Sequence, residues 1–120
     1  MKLLQIYRCF CDETRLRILH LLAQGPLCVC QLQDVLKLPQ VAVSKQLAYL
    51  RGKGMVEARR RGRWMIYRLP EKAPGELDLQ LRCLQDCVQS HPVFREDLSR
   101  LNQTRAACGR KTGTPAGIYE

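Results

Sequence analysis

Apolar residues recur along the first half of the chain at helical spacing, broken by short polar or glycine–proline interruptions. Leu3, Tyr7 and Phe10 fall on one side of a short amphipathic helix over residues 3–10. Asp12 stands where an N-cap belongs, with Arg15 three residues on, where a capping box prefers a glutamate. Leu16, Ile18, Leu19 and Leu22 follow in a second helix, stopped by Gly25-Pro26. A third helix is predicted from about Cys28 to Leu36, with Leu32, Val35 and Leu36 turned inward. Lys37-Leu38-Pro39 makes a tight link, and Pro39 fits the first turn of a fourth helix over Gln40–Lys53, ended by Gly52 and Gly54. Val43, Leu47 and Leu50 form the buried stripe of that fourth helix. Val41, Ala42, Lys45 and Ala48 point the other way, flanked by Gln40, Ser44 and Tyr49. Helix, three-residue link, helix is the helix-turn-helix arrangement.

The period then changes from helix to strand. Met55–Arg60 and Arg63–Leu69 read as two strands around Arg61-Gly62, with Val56, Trp64, Ile66, Tyr67 and Leu69 as β-formers. A hairpin after a helix-turn-helix makes a wing. Pro70–Gly75 reads as a linker, and Glu76–Ser90 as a fifth helix with Leu77, Leu81, Leu84 and Val88 on one stripe. Phe94, Leu98 and Leu101 predict a short sixth helix. The fold class is therefore mainly α with a β-hairpin wing, a winged helix-turn-helix over residues 1–103, followed by a flexible tail over 104–120.

Charge sharpens this picture. The 120 residues carry a formal net charge of +9, and residues 37–68 hold nine Lys and Arg against Glu57 alone. A basic stretch on a helix-turn-helix and its wing predicts a double-stranded DNA partner. The fourth helix suits the major groove and the basic hairpin suits phosphates or the minor groove. Lys45, Arg59, Arg60, Arg61 and Arg63 are expected to supply charge, Gln40 and Ser44 hydrogen bonds, and Val41 and Ala42 contacts to thymine methyls. For Gln40 and Ser44, capping and packing at a helix start is an equally good reading of each residue alone. Aromatic content is only 6 %, which argues against base-stacking RNA recognition.

Other classes fare poorly. The chain shows no Ser/His/Asp set, no glycine-rich phosphate loop and no cysteine with a histidine base at readable spacing, so an enzyme is not expected. Its opening residues do not read as a secretory leader, and no apolar run approaches the roughly 18 residues of a membrane span. A cytoplasmic protein without a membrane partner or organic cofactor is expected, with its thiols reduced.

Seven cysteines then need a reading: Cys9, Cys11, Cys28, Cys30, Cys83, Cys87 and Cys108. Cys28 and Cys30 flank Val29 at the start of the third helix, where free amide groups and the helix dipole favour thiolate. Two thiolates one residue apart suit a soft ion, although a lone C-x-C is also consistent with two small apolar residues at a helix start.

Residues from about Asp12 to Leu69 resemble the ArsR/SmtB family of dimeric winged-helix metalloregulatory repressors. The resemblance is carried by Asp12-Glu13-Thr14-Arg15-Leu16-Arg17-Ile18-Leu19, Leu27-Cys28-Val29-Cys30-Gln31-Leu32, Val43-Ser44-Lys45-Gln46-Leu47-Ala48-Tyr49-Leu50-Arg51 and Gly62-Arg63-Trp64-Met65-Ile66-Tyr67-Arg68-Leu69. It implies a homodimer through the first and fifth helices. It also implies that trivalent arsenic or antimony, taken by Cys28 and Cys30 as inducer, releases operator DNA.

The sequence departs from the arsenic branch in having Gln33 where a third cysteine is usual. Cys108 is the first candidate for the third ligand and Cys83 or Cys87 the second, although burial at a dimer interface is an equal reading for those two. Cys9 and Cys11 align with small core positions; the cadmium-type branch uses amino-terminal cysteines. Zinc sensors of the family use Asp and His pairs on the last helix, and neither His20 nor His91 has such a partner. A cadmium- or lead-type thiolate sensor, or a thiol-redox or persulfide sensor pairing Cys30 with Cys83 or Cys87, are the alternatives on the same fold.

Overall fold

The computed structural model describes residues 3–87 and 90–111, with side chains described over 3–86 and 90–104. The elements run α1 (Leu3–Phe10), α2 (Glu13–Leu22), β1 (Leu27–Cys28), α3 (Val29–Leu36), α4 (Gln40–Gly52), β2 (Glu57–Arg61), β3 (Trp64–Arg68), α5 (Gly75–Cys87) and α6 (Pro92–Lys111). The helix-turn-helix is α3, Lys37–Pro39 and α4, and the wing is β2–β3. A mainly helical chain with a β-hairpin wing is the architecture expected from the sequence, and the wing is part of a three-stranded antiparallel sheet.

Local chemistry sets the boundaries. Asp12 is extended and its Oδ1 accepts from the Arg15 N–H at 3.0 Å, capping α2. Gly25 takes φ 135° and ends the helix turn. Lys37 takes the left-handed conformation at φ 59°, a position that glycine fills at lower cost, and its N–H bonds Gln33 O. At the wing tip Gly62 has φ 60°. Arg61 pairs directly with Trp64, so the two-residue turn is Gly62-Arg63, one residue later than the Arg61-Gly62 predicted. Glycine is thereby placed at the first central position, where positive φ is needed.

Three features differ from expectation. The chain before α3 forms the strand β1, pairing Leu27 with Tyr67 and Cys28 with Ile66, so the sheet order is β1-β3-β2. In α1 the inward residues are Ile6 and Cys9, while Leu3 and Tyr7 are about half exposed at 49% and 47%. Apolar residues cover more than one stripe of α1, and only the stripe facing α2 is covered within a single chain. The sixth helix is not short: Pro92 starts it, and it continues through Thr104 to Lys111, past the predicted start of the tail. Residues 112–120 of that tail, and Val88 of the fifth-helix stripe, lie outside the described residues.

The core joins Ile18, Leu19 and Leu22 of α2 to Leu32, Val35 and Leu36 of α3, to Val43, Leu47 and Leu50 of α4, and to Leu77, Phe94 and Leu101. Within it lies Asp97 of α6, with no solvent exposure. Arg17 of α2 grips it with two bonds of 2.9 Å, and Arg100 adds a third of 2.9 Å. The same arginines reach the last carbonyls of α3, Arg17 to Leu36 O at 3.2 Å and Arg100 to Val35 O at 2.7 Å. The bond to Asp97 holds Arg17 above the usual guanidinium range, outweighing burial.

His20 lies beside this network, buried, edge-on to Phe94 at 5.3 Å between ring centres, its Nδ1 without a hydrogen-bond partner among the described residues. Burial pushes its pKa below the usual value, against an opposing pull from Asp97. The unfolded chain therefore takes up this proton first, and the stabilisation present at neutral pH declines as pH falls through about 6.5. Urea unfolding from pH 7.5 to 5 is expected to show that decline, and His20→Phe to flatten it. Asp97→Ala, which strands two arginines, is expected to cost about 3–5 kcal/mol in the same assay.

Candidate nucleic-acid interface and thiol site

One side of α4 is fixed by its core contacts. Val43, Leu47 and Leu50 are fully buried, which turns Gln40, Val41, Ser44, Lys45, Ala48 and Tyr49 to the surface. Ala42 is half-buried at the edge of this face. Val41 is 79% exposed, an apolar side chain with no cover, at the helix start where a groove-entering helix meets base edges. Pro39 gives no side-chain cap, so first-turn amides of α4 remain available to an anion.

Beside α4 the wing carries Arg59, Arg60, Arg61 and Arg63, all exposed. Among the described residues none of the four is ion-paired; Glu57, the one acid of the segment, sits across from Arg68 and binds it at 3.1 Å. The predicted basic residues are thus left with uncompensated charge on the helix-turn-helix side chains and the hairpin.

Tyr49 and Gln46 of α4 have a partner the sequence did not announce. The Arg15 guanidinium lies 4.4 Å over the Tyr49 ring, donates through Nη1 to Gln46 Oε1 at 3.2 Å, and reaches back to α1. The only sequence signal was an arginine at the capping-box position where glutamate is usual. Lys53 sits on the same ring at 5.6 Å.

The thiols divide by environment. Cys28 is 3% exposed, the last residue of β1 and the N-cap of α3. Its N–H donates to Gln31 Oε1 at 3.0 Å in a capping box, and its side chain packs with Ile66 and Trp64 of β3. Cys30, in the first turn of α3, is exposed. Cys9 is fully buried in the core, where desolvation raises its thiol pKa against the opposing charges of Arg15 and Lys53. Cys11, read with Cys9 as a core position, is instead exposed, as is Cys83 on α5. The side chains of Cys87 and Cys108 lie outside the described residues. Among the described residues no three His, Cys, Asp or Glu side chains converge as a metal site. The two soft donors at the α3 start are of the type that suits a thiophilic ion.

Comparison with known proteins bears on this geometry. Residues 12–58 match the model described as "Bacterial regulatory protein, arsR family". An arsenic resistance transcriptional regulator, ArsR1 of Pseudomonas putida, is 40% identical over 85 residues, spanning 70% of this chain and 66% of its own. The arsenical resistance operon repressor of Escherichia coli K12 is 40% identical over 92 residues, spanning 72% of this chain and 79% of its own. The crystal structure of the AntR antimony-specific transcriptional repressor superposes with a TM-score of 0.55 at 32% identity, over 71% of this chain and 78% of its own. These relatives are regulators of transcription and not enzymes. With a helix-turn-helix, an arginine-studded wing and an alignment spanning most of the E. coli repressor, the chain belongs to the arsR family of bacterial regulatory proteins.

Proposed function

We propose that this protein is a homodimeric repressor of the bacterial cytoplasm that holds operator DNA in its thiol form and releases it when trivalent arsenic or antimony binds Cys28 and Cys30. The observation that carries the reading is the position of Cys28. It caps the first helix of the helix-turn-helix and at the same time pairs with Ile66 in the wing strand. A ligand drawn onto Cys28 therefore acts on both DNA-contacting parts at once.

The chemistry balances as ligand exchange. Arsenous acid carries three hydroxyl groups; each thiol that forms an As–S bond displaces one of them as water, and no electron is transferred. Cys30 is exposed and meets the incoming metalloid, whereas Cys28 is covered by Ile66 and Trp64. Bringing the Cys28 sulfur to the same arsenic disturbs the capping box and the β1–β3 contact. A coupling of about 1–3 kcal/mol between that disturbance and the DNA-bound geometry is enough to change operator occupancy. The third sulfur is assigned first to Cys108, with Cys83 or Cys87 as substitutes.

Support for the dimer comes from α1 and α5. Leu3, Leu4 and Tyr7 are 49%, 61% and 47% exposed and Leu79 is 65% exposed, with Gln80 Nε2 donating to Tyr7 Oη at 3.3 Å between the two helices. Exposed apolar side chains on two helices that touch, in a small domain, fit a second copy of the chain. The relatives' names, an arsenical resistance operon repressor and an antimony-specific repressor, support the choice of metalloid.

Two experiments test the reading. In gel-shift titration, arsenite is expected to release wild-type protein from DNA and to leave Cys28→Ser and Cys30→Ser bound; release of both variants would place the sensor elsewhere. Release by a mild oxidant but not by arsenite would select thiol-redox sensing. For the DNA face, Arg60→Ala is expected to weaken binding to all sequences alike and to lower the slope of log affinity against log salt by about 1. Gln40→Ala is expected to weaken the preferred sequence selectively, as fluorescence anisotropy on specific and scrambled duplexes will show.

A further inference from the structure

A dimeric reader of two half-sites has to hold its two reader helices at a fixed separation and tilt. If the copies join through α1 and α5, the chain of rigid contacts from the dimer face to the groove runs from α1 to α4, and these helices are not neighbours in sequence. Arg15 spans the gap. Its backbone N–H is pinned by Asp12 Oδ1 at 3.0 Å, so the residue is anchored at the first turn of α2. From there Nη2 donates to Arg8 O at 3.0 Å and Nε to Cys9 O at 3.1 Å, both carbonyls of the last turn of α1, the first of which also accepts from the Cys11 N–H at 3.3 Å. The third nitrogen, Nη1, donates to Gln46 Oε1 at 3.2 Å, and the guanidinium plane lies 4.4 Å over the Tyr49 ring. Gln46 and Tyr49 stand three residues apart on α4, so the arginine meets that helix at two points.

All three nitrogens of the group are thus engaged, two toward the dimer helix and one toward the reader helix, with the aromatic ring beneath. A planar fork with donors in fixed directions transmits an angle as well as a distance. The cationic group also meets the negative end of the α1 dipole. Nothing else in the described hydrogen bonds joins α1 directly to the α4 side chains, and Arg15 is only half-buried, so its placement reflects these contacts and not the filling of the core.

We infer that Arg15 is a positioning residue: it fixes the angle between α1 and α4 and thereby the half-site separation that the dimer accepts. The inference rests on the repressor reading above and specifies its geometry. It requires no contact between Arg15 and DNA. Replacement by lysine keeps the positive charge and loses the planar fork, and Gln46→Leu removes one arm of the strut while leaving Arg15 in place.

The test uses full-length protein and a palindromic duplex selected from random DNA by the wild type, then rebuilt with one or two base pairs added to or removed from its centre. Wild type is expected to bind the selected spacing at least about tenfold better than spacings one pair away. Arg15→Lys and Gln46→Leu are expected to remain dimeric by sedimentation and to keep the salt slope. They are expected to lose about tenfold at the selected spacing and little elsewhere, so that the spacing profile flattens, because pre-organisation is what is lost. Equal weakening at every spacing, or an unchanged profile, would overturn the inference, and a fall of about 1 in the salt slope for Arg15→Gln would make Arg15 a phosphate contact instead. A wild-type protein that selects no two-fold site, or that is monomeric, defeats the dimeric repressor reading itself, and that outcome appears before any variant is measured.

Discussion

A carboxylate stripped of all solvent is tolerated in a protein interior only when its charge is met, and the fold is arranged so that Asp97 is met twice. Arg17 and Arg100 close on it from α2 and from its own helix, and both continue to the last carbonyls of α3. Three helices that share few sequence neighbours are thereby held at one point, with hydrogen bonds as well as charge satisfied. The C-terminal end of α3 becomes the fixed end of the element. Its N-terminal end is held by a capping box and a two-residue strand.

That division matches the placement of the thiols. Cys28 and Cys30 sit at the N-terminal end of α3, yet in unlike surroundings, one covered by the wing strand and one in solvent. If the pair acts as the sensor proposed above, one accessible donor and one covered donor would separate capture from signalling. In that proposal the first bond, to exposed Cys30, would cost the structure little, and the second, to Cys28, would displace contacts with Ile66 and Trp64. On the proposed reading, ligand binding would be coupled to shape through the second sulfur, where the differential affinity for two conformations would reside.

Much of this was legible in the chain. The 3.6-residue spacing of Val43, Leu47 and Leu50 placed the exposed face of α4, and the β-formers around Gly62 placed the wing, because these signals are local and repeated. What escaped had no period to show. β1 is two residues long and is defined only by its pairing with β3 across nearly forty positions. The inward side of α1 could not be chosen from its own residues, since Ile6 and Cys9 compete there with Leu3, Leu4 and Tyr7. The full length of α6 has no apolar period to mark it, because its large apolar residues stop at Leu101 while the helix continues to Lys111. Asp97 with Arg17, and Arg15 with Gln46, are polar partners separated by 80 and 31 positions; only their odd residue types, an arginine in a capping-box position for one, hinted at them. For the thiols, spacing located the pair and left their unequal burial unread.

The wing has a further property that follows from its unpaired arginines. Arg59 and Arg61 project from the same side of β2 and Arg63 occupies the turn beside them, so the free hairpin concentrates like charge at its tip. Mutual repulsion there works against the hairpin's own pairing until a polyanion arrives. Dissolved electrolyte then has two contrary effects on one molecule: it calms the isolated wing and loosens the grip on the double helix. A cell of high ionic strength would keep this protein sturdier and its promoter less occupied, so thermal tolerance and gene silencing draw on the same wing guanidiniums in opposite directions.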